Sequence, residues 1–386
     1  MRGHVDAGRL VELTKQLVAV DTRNPPGGEA PIEQVLRDAL ASRRASWTRL
    51  EPAPGRVSLV AELPHPEGPR PGRPRLIVNG HLDVVPVNAA AWTHDPFDPT
   101  VVDGRLYGRG SADMKGGVAA AIAALDALDR AGVAPACDVT FHLVADEERG
   151  GRLGTQALLE RGLVRGDACL VPEPTDLDLC VAERGLWQAR IHVFGRPGHG
   201  SRPREGVSAI EHAARLVLAL HAADFGGGEH HLLGRPTANV GTIEGGSAFN
   251  TVAETCVLGV DRRVLPGATA ESTEAEIVRR IDQAGVEGLR YRIELDTFGE
   301  ASEMPPDDPW VKQVGEAVVR ATGRVPSVIG MPFTTDARFV RNQAGIPAVV
   351  CGPGRIDQAH GDDEFVEVDR LVDAAATYAE LLACYS

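Results

Sequence analysis

LIVNGHLDVVPVNAAAWTHDPFDPTVVDGRLYGRGSADMKGG, residues Leu76–Gly117, is the stretch on which the reading turns. It opens with the apolar run Leu76-Ile77-Val78, a buried strand, and ends where an alanine-rich helix starts at about Lys115. Between them lie His81, Asp83 and Asp113. Two positions apart on a strand, His81 and Asp83 would share a face, so the carboxylate could fix the imidazole's tautomer. Asp113 follows a turn punctuated by Gly108 and Gly110 and precedes the helix, a place from which a carboxylate can be aimed inward. Taken alone, the first pair also suits a structural hydrogen bond, and Asp113 also suits a helix N-cap.

Working outward, the same pattern recurs of a strand that delivers polar groups at its carboxyl end. Asp138–Val144 (DVTFHLV) leads into Asp146-Glu147-Glu148, and Ala168–Val171 leads to Glu173 between two prolines. Adjacent glutamates at a strand tip are either solvated or neutralised by a cation, and the cation is preferred here. Helices are expected at Asp6–Val18, Pro31–Ser42, Gly117–Ala131 and Thr155–Arg161, with a further strand at Val57–Leu63 and a loop over Pro64–Pro74. This alternation predicts an α/β fold, a mostly parallel sheet flanked by helices, with its site outside the strands' carboxyl ends.

From about Leu186 the rhythm changes to β-α-β-β-α-β, ending near Leu295, the order of an inserted ferredoxin-like α+β domain. The expected division is 1–185 for the first part of a catalytic domain, 186–299 for the insert and 300–386 for the second part. The last part carries a helix at Trp310–Thr322, the turn Thr334-Thr335-Asp336, a strand at Ala348–Val350, Gly352, His360 and a closing helix at Asp369–Ala383.

A length of 386 residues suits two to three domains, with 43% hydrophobic and 24% charged residues as in ordinary globular chains. The net charge of -14 argues against nucleic acid and acidic membrane as partners. The six cysteines show no paired CxxC spacing and read as buried thiols of a cytoplasmic protein. The N-terminus reads as an amphipathic helix and not a signal peptide, and no stretch approaches the ~20 apolar residues of a membrane span.

His81, Asp113, Glu148, Glu173 and His360 make two imidazoles and three carboxylates. That donor set suits zinc, or cobalt or manganese, and five ligands suit two metals sharing Asp113 and a water or hydroxide. Glu147, beside Glu148, is left free to take a proton.

At this point the chain resembles the co-catalytic metallopeptidase and deacylase family of acetylornithine deacetylase, succinyl-diaminopimelate desuccinylase, carboxypeptidase G and the aminoacylases. The resemblance rests on GHLDVVP, GRLYGRGSADMKGG, ADEERGG, VPEPT, RPGHGSRP, VDRRVLPG, TTDARF, GIPAVVCGPG and AHGDDEFV, in the family's order and spread over nearly the whole chain. It implies that His81, Asp113 and Glu173 hold one metal and Asp113, Glu148 and His360 the other. It further implies that Asp83 orients His81, that Glu147 is the general base, and that the peptide after Asp113 is cis. It gives the insert the roles of lid and dimerisation domain, with His199 supporting the oxyanion in a partner's site. Asn250 and Arg263 would then hold substrate polar groups, and Gly352 would line the substrate loop. His94, His142, His192, His230 and His231 match no motif and read as structural or solvated. The activity implied is hydrolysis of the amide of a small N-acyl amino acid, with a dipeptidase or carboxypeptidase of the same family as the alternative. A metal-binding or interaction module without catalysis is the remaining class, and two bound metals with no amide hydrolysis would mark it.

Overall fold

The apolar runs around His81 pair with one another. In the computed structural model, which describes residues 1–226 and 228–385, Asp138–Val144, Arg75–His81, Ala168–Pro174 and Ala348–Gly352 lie side by side and parallel. Antiparallel strands extend this block, Arg56–Leu63 and then Ser46–Ala53 on one side and Leu179–Glu183 on the other. The parallel strands are almost wholly buried, which is why they read as unbroken apolar runs.

Helices cover both faces. Gly80 faces the helix Lys115–Ala131, which packs against the long C-terminal helix Val368–Cys384. On the other face Asn79 donates to Thr155, the first residue of the helix Thr155–Glu160. At Gly117 a Cβ would collide with the Pro172 carbonyl, so the helix can seat against the sheet only through glycine. The same helix stops at Gly132, whose φ of 67° is the left-handed cap.

These elements form one compact unit, Met1–Val181 with Met304–Ile329 and the residues from Thr335 onward; Ala182–Glu303 with Gly330–Thr334 form a second. The second unit holds an antiparallel sheet in the order Thr237–Gly245, Thr255–Val264, Gly185–Phe194, Arg290–Gly299. With the helices Ala209–Leu220 and Ala270–Gln283 this is the β-α-β-β-α-β arrangement. Trp187, Ile191, Leu216, Leu258, Ile277 and Ile281 fill its core.

Three features lay outside the sequence expectation. Ser46–Ala53 is an edge strand exposed or half-exposed throughout, so it carries no apolar alternation to read. Leu179–Glu183 is a five-residue buried strand following directly on another. A small antiparallel sheet joins Thr100–Val102, Arg105–Tyr107 and Phe365–Glu367, three residues each, too short for a periodic signal. That last sheet fastens the His360 segment beside the loop leading to Asp113. Five of the cysteines are buried, Cys384 is exposed, and all six are free thiols. No helix among the described residues is long and apolar enough to cross a membrane.

His142 lies fully buried on the Asp138–Val144 strand, and neither ring nitrogen has a hydrogen-bond partner among the described residues. Burial lowers its pKa to about 4. The unfolded chain therefore binds a proton that the folded one refuses between about pH 6.5 and 4, so stability falls on acidification through that window. Replacing His142 by Phe is expected to remove up to about 3 kcal/mol of this pH dependence, read from urea midpoints at pH 7, 5.5 and 4. An unchanged pH slope would show that His142 is not its source.

Candidate metal centre

The carboxyl ends of the parallel strands converge on one buried cluster. His81 Nε2 lies 3.0 Å from Asp113 Oδ1 and 3.5 Å from Glu173 Oε1. His360 Nε2 lies 3.4 Å from Asp113 Oδ2 and 3.1 Å from Glu148 Oε2. Asp113 thus presents one oxygen to each imidazole. Glu147 stands in the same cluster, its oxygen within 4.8 Å of donor atoms of His81 and Glu173. His81, Glu173 and Glu148 are deeply buried, whereas His360 keeps half of its side chain exposed and forms the open wall.

His81, Asp113 and the Glu147–Glu148 turn are each aimed by contacts outside their own element. His81 Nδ1 is 2.9 Å from the Asp83 main-chain carbonyl, which fixes the ring with Nε2 toward the cluster. The strand ends at His81, and the Asp83 carboxylate sits 3.7 Å from Nδ1, so the closer contact of Asp83 with the ring is made by its carbonyl. That carboxylate also accepts the backbone N–H groups of Glu147, at 3.1 Å, and Glu148, at 3.3 Å. Asp83 therefore ties the histidine strand to the glutamate turn, through its carbonyl on one side and its carboxylate on the other.

Asp113 is held by Glu364, a residue given no role by sequence reasoning. Glu364 Oε1 accepts from the N–H groups of Gly110, Ala112 and Asp113 at 3.0, 2.9 and 3.1 Å, while Oε2 is 2.6 Å from Arg109 Nη1. The Asp113–Met114 peptide is cis. Glu364 lies within the AHGDDEFV motif, but its partners are some 250 residues earlier in the chain, so no local spacing reveals what it holds.

The electrostatics are those of a site short of positive charge. Burial works against a proton on His81, but the carboxylates of Glu173 and Asp113 outweigh it and raise its pKa well above the ordinary value. Hydrogen bonds donated to the Asp113 and Glu148 carboxylates push His360 up to about 11. Burial and the neighbouring Asp113 charge push Glu173 up to about 8, and burial raises Glu147 and Glu148 as well. Burial would raise Asp113 too, yet the two imidazoles that it bridges keep it well below the carboxylate range. Imidazoles that hold protons tightly among carboxylates reluctant to ionise form a donor set that fits divalent cations.

Gly352 ends its strand where a Cβ would strike the Pro172 and Glu173 carbonyls, so this position lets two backbones touch beside Glu173. The other expected residues lie in the second unit. His199 forms a backbone bridge with Thr251, Gly200 N–H donates to the Asn250 carbonyl at 2.7 Å, and His199 Nδ1 is 2.7 Å from Ser201 Oγ. Arg263 is gripped by Asp261, Nε to Oδ1 at 2.8 Å and Nη2 to Oδ2 at 3.2 Å.

With this geometry in hand, the comparisons identify the class. Residues 77–383 match the sequence model of Peptidase family M20/M25/M40, and the chain belongs to that family of metallopeptidases and amidohydrolases. It is 35% identical over 321 residues to a succinyl-diaminopimelate desuccinylase of Methylobacterium radiotolerans, covering 81% of each chain. It is 31% identical over 377 residues to an acetylornithine deacetylase of Salmonella arizonae, covering 93% of each. In fold it is similar to the aminopeptidase PepT of Bacillus cereus, with a TM-score of 0.82, 22% identity and 99% of each chain covered. It also resembles an M20 family metallo-carboxypeptidase of Sulfolobus solfataricus, with a TM-score of 0.79, 19% identity and 97% and 98% of the two chains covered.

Replacing Glu364 by Ala would strand the buried Arg109 guanidinium and three N–H groups, a loss expected to cost about 3–5 kcal/mol. Urea unfolding of the variant measures it. A loss under 1 kcal/mol would show that the Gly110–Asp113 loop is held by other contacts.

Proposed function

We propose that the protein hydrolyses the amide bond of a small N-acyl amino acid, as a deacylase of the acetylornithine or succinyl-diaminopimelate type. The observation that carries this reading is the placement of Glu147 beside His81 and Glu173, in a cluster where Asp113 bridges two imidazoles. The relatives of 31 to 35% identity support the substrate class. Dipeptide or carboxypeptidase substrates are the comparison arm of the test.

In this reading His81, Asp113 and Glu173 would hold one cation, and Asp113, Glu148 and His360 a second, zinc first, with cobalt or manganese also suited to the donor set. When bound, the cations would acidify a water and polarise the scissile carbonyl. Glu147 takes the proton of the attacking water on its carboxylate and passes it to the departing amine nitrogen. Asp83 keeps that carboxylate in place through the N–H groups of Glu147 and Glu148. The second unit acts as lid and dimer contact. His199, reaching a second subunit's site, donates to the developing oxyanion, a kind of contact typically worth about 3 kcal/mol. Asn250 binds polar substrate groups, and Arg263, its guanidinium fixed by Asp261, pairs with the substrate carboxylate.

Two outcomes are expected. Glu147→Gln should retain both metals by elemental analysis while losing at least about 10²-fold in kcat, and a variant that turns over normally would remove Glu147 from the role. On a panel of N-acyl amino acids and dipeptides, the N-acyl substrates should be preferred, and Arg263→Ala should raise KM for those with a free carboxylate. Equal losses on their uncharged analogues would take the carboxylate from Arg263, and a preference for dipeptides would make the enzyme a peptidase.

A further inference from the structure

Behind the glutamate turn lies a buried ionic network that meets the proposed chemistry at Asp83. Arg56, on the Arg56–Leu63 strand, is 8% exposed, and Glu29 is fully buried. The two form a bidentate pair, Nε to Oε2 at 2.9 Å and Nη2 to Oε1 at 2.7 Å. The guanidinium also reaches Asp146 Oδ1 at 3.2 Å and Asn24 Oδ1 at 3.4 Å. Asn24 then spans two carboxylates, its Nδ2 donating to Asp83 Oδ2 at 2.9 Å and Asp146 Oδ1 at 3.2 Å. Gly27, at a φ of 81°, lies so close over the guanidinium that any side chain there would collide with it. The Pro- and Gly-rich loop after the first helix is thereby closed over Arg56.

Both carboxylates at the far end of this network control the turn that carries Glu147. Asp146, left-handed at a φ of 72°, accepts the N–H of Leu153 on Oδ2 at 3.1 Å, and its carbonyl accepts from Arg149 and Gly151. Asp83 accepts the N–H groups of Glu147 and Glu148. A fork-shaped cation anchored on one side can hold several oxygens in register, whereas a lysine ammonium at the same place lacks that geometry.

We propose that Arg56, clamped by Glu29 and acting through Asn24, Asp146 and Asp83, is a positioning residue for the Glu147 carboxylate. The inference rests on Glu147 being the general base. Its signature is a loss in kcat with little change in KM, because the substrate-binding groups are untouched, and with metal content preserved.

The test measures kcat, KM and metals per subunit for Arg56→Met, Arg56→Lys, Asn24→Ala and Glu147→Gln, all on the preferred substrate of the panel. Arg56→Met and Asn24→Ala are expected to lower kcat about 10- to 100-fold with both metals bound, and Arg56→Lys to recover part of the loss. Should Arg56→Met fail to fold, Asn24→Ala, which removes no charge, decides alone. Full kcat in a folded variant, or a loss explained by missing metal or by raised KM, would overturn the assignment. An inactive Glu147→Gln beside fully active Arg56→Met and Asn24→Ala refutes only this inference. An active Glu147→Gln refutes the base on which it rests.

Discussion

Asp113 sharing its two carboxylate oxygens between His81 and His360 is the constraint around which the rest is arranged. Glu147, Glu148 and Glu173 crowd the same buried space, and carboxylates so placed repel one another unless positive charge is present. A fold selected for stability alone would not assemble such a cluster. It lies at the open end of a parallel sheet, where three of the four parallel strands end in or just before acidic residues.

The sheet by itself aims none of these groups finely enough. Aim comes from carboxylates one step removed, Glu364 under the Asp113 loop and Asp83 under the Glu147 turn, each accepting several backbone N–H groups. Carboxylates engaged in this way fix loop backbone that has no ladder of its own. Glycine does complementary work at Gly117 and Gly352, where a helix and a strand approach their neighbours too closely for a side chain.

The parallel strands were legible because burial on both faces leaves continuous apolar runs, and His81, Glu148 and Glu173 were legible because they sit at or just past the ends of those runs. Asp138–Val144 has the same limits in sequence and structure. Position two after His81 does meet the ring, but through its carbonyl more closely than its carboxylate, because the strand that the spacing argument assumes ends at His81. Glu364, Asn24, Arg56 and Asp146 went unread for a different reason. Their partners are dozens to hundreds of residues away, and polar pairing across such distances leaves no period in the chain. The edge strand Ser46–Ala53 was hidden by its exposure, which removes the alternation that would reveal it.

Anomalous diffraction at the zinc edge, from crystals grown with that metal, tests the central claim most directly. The account predicts two peaks flanking Asp113, one contacted by His81 and Glu173 and the other by Glu148 and His360. A single peak, or two that leave Asp113 untouched, would contradict it.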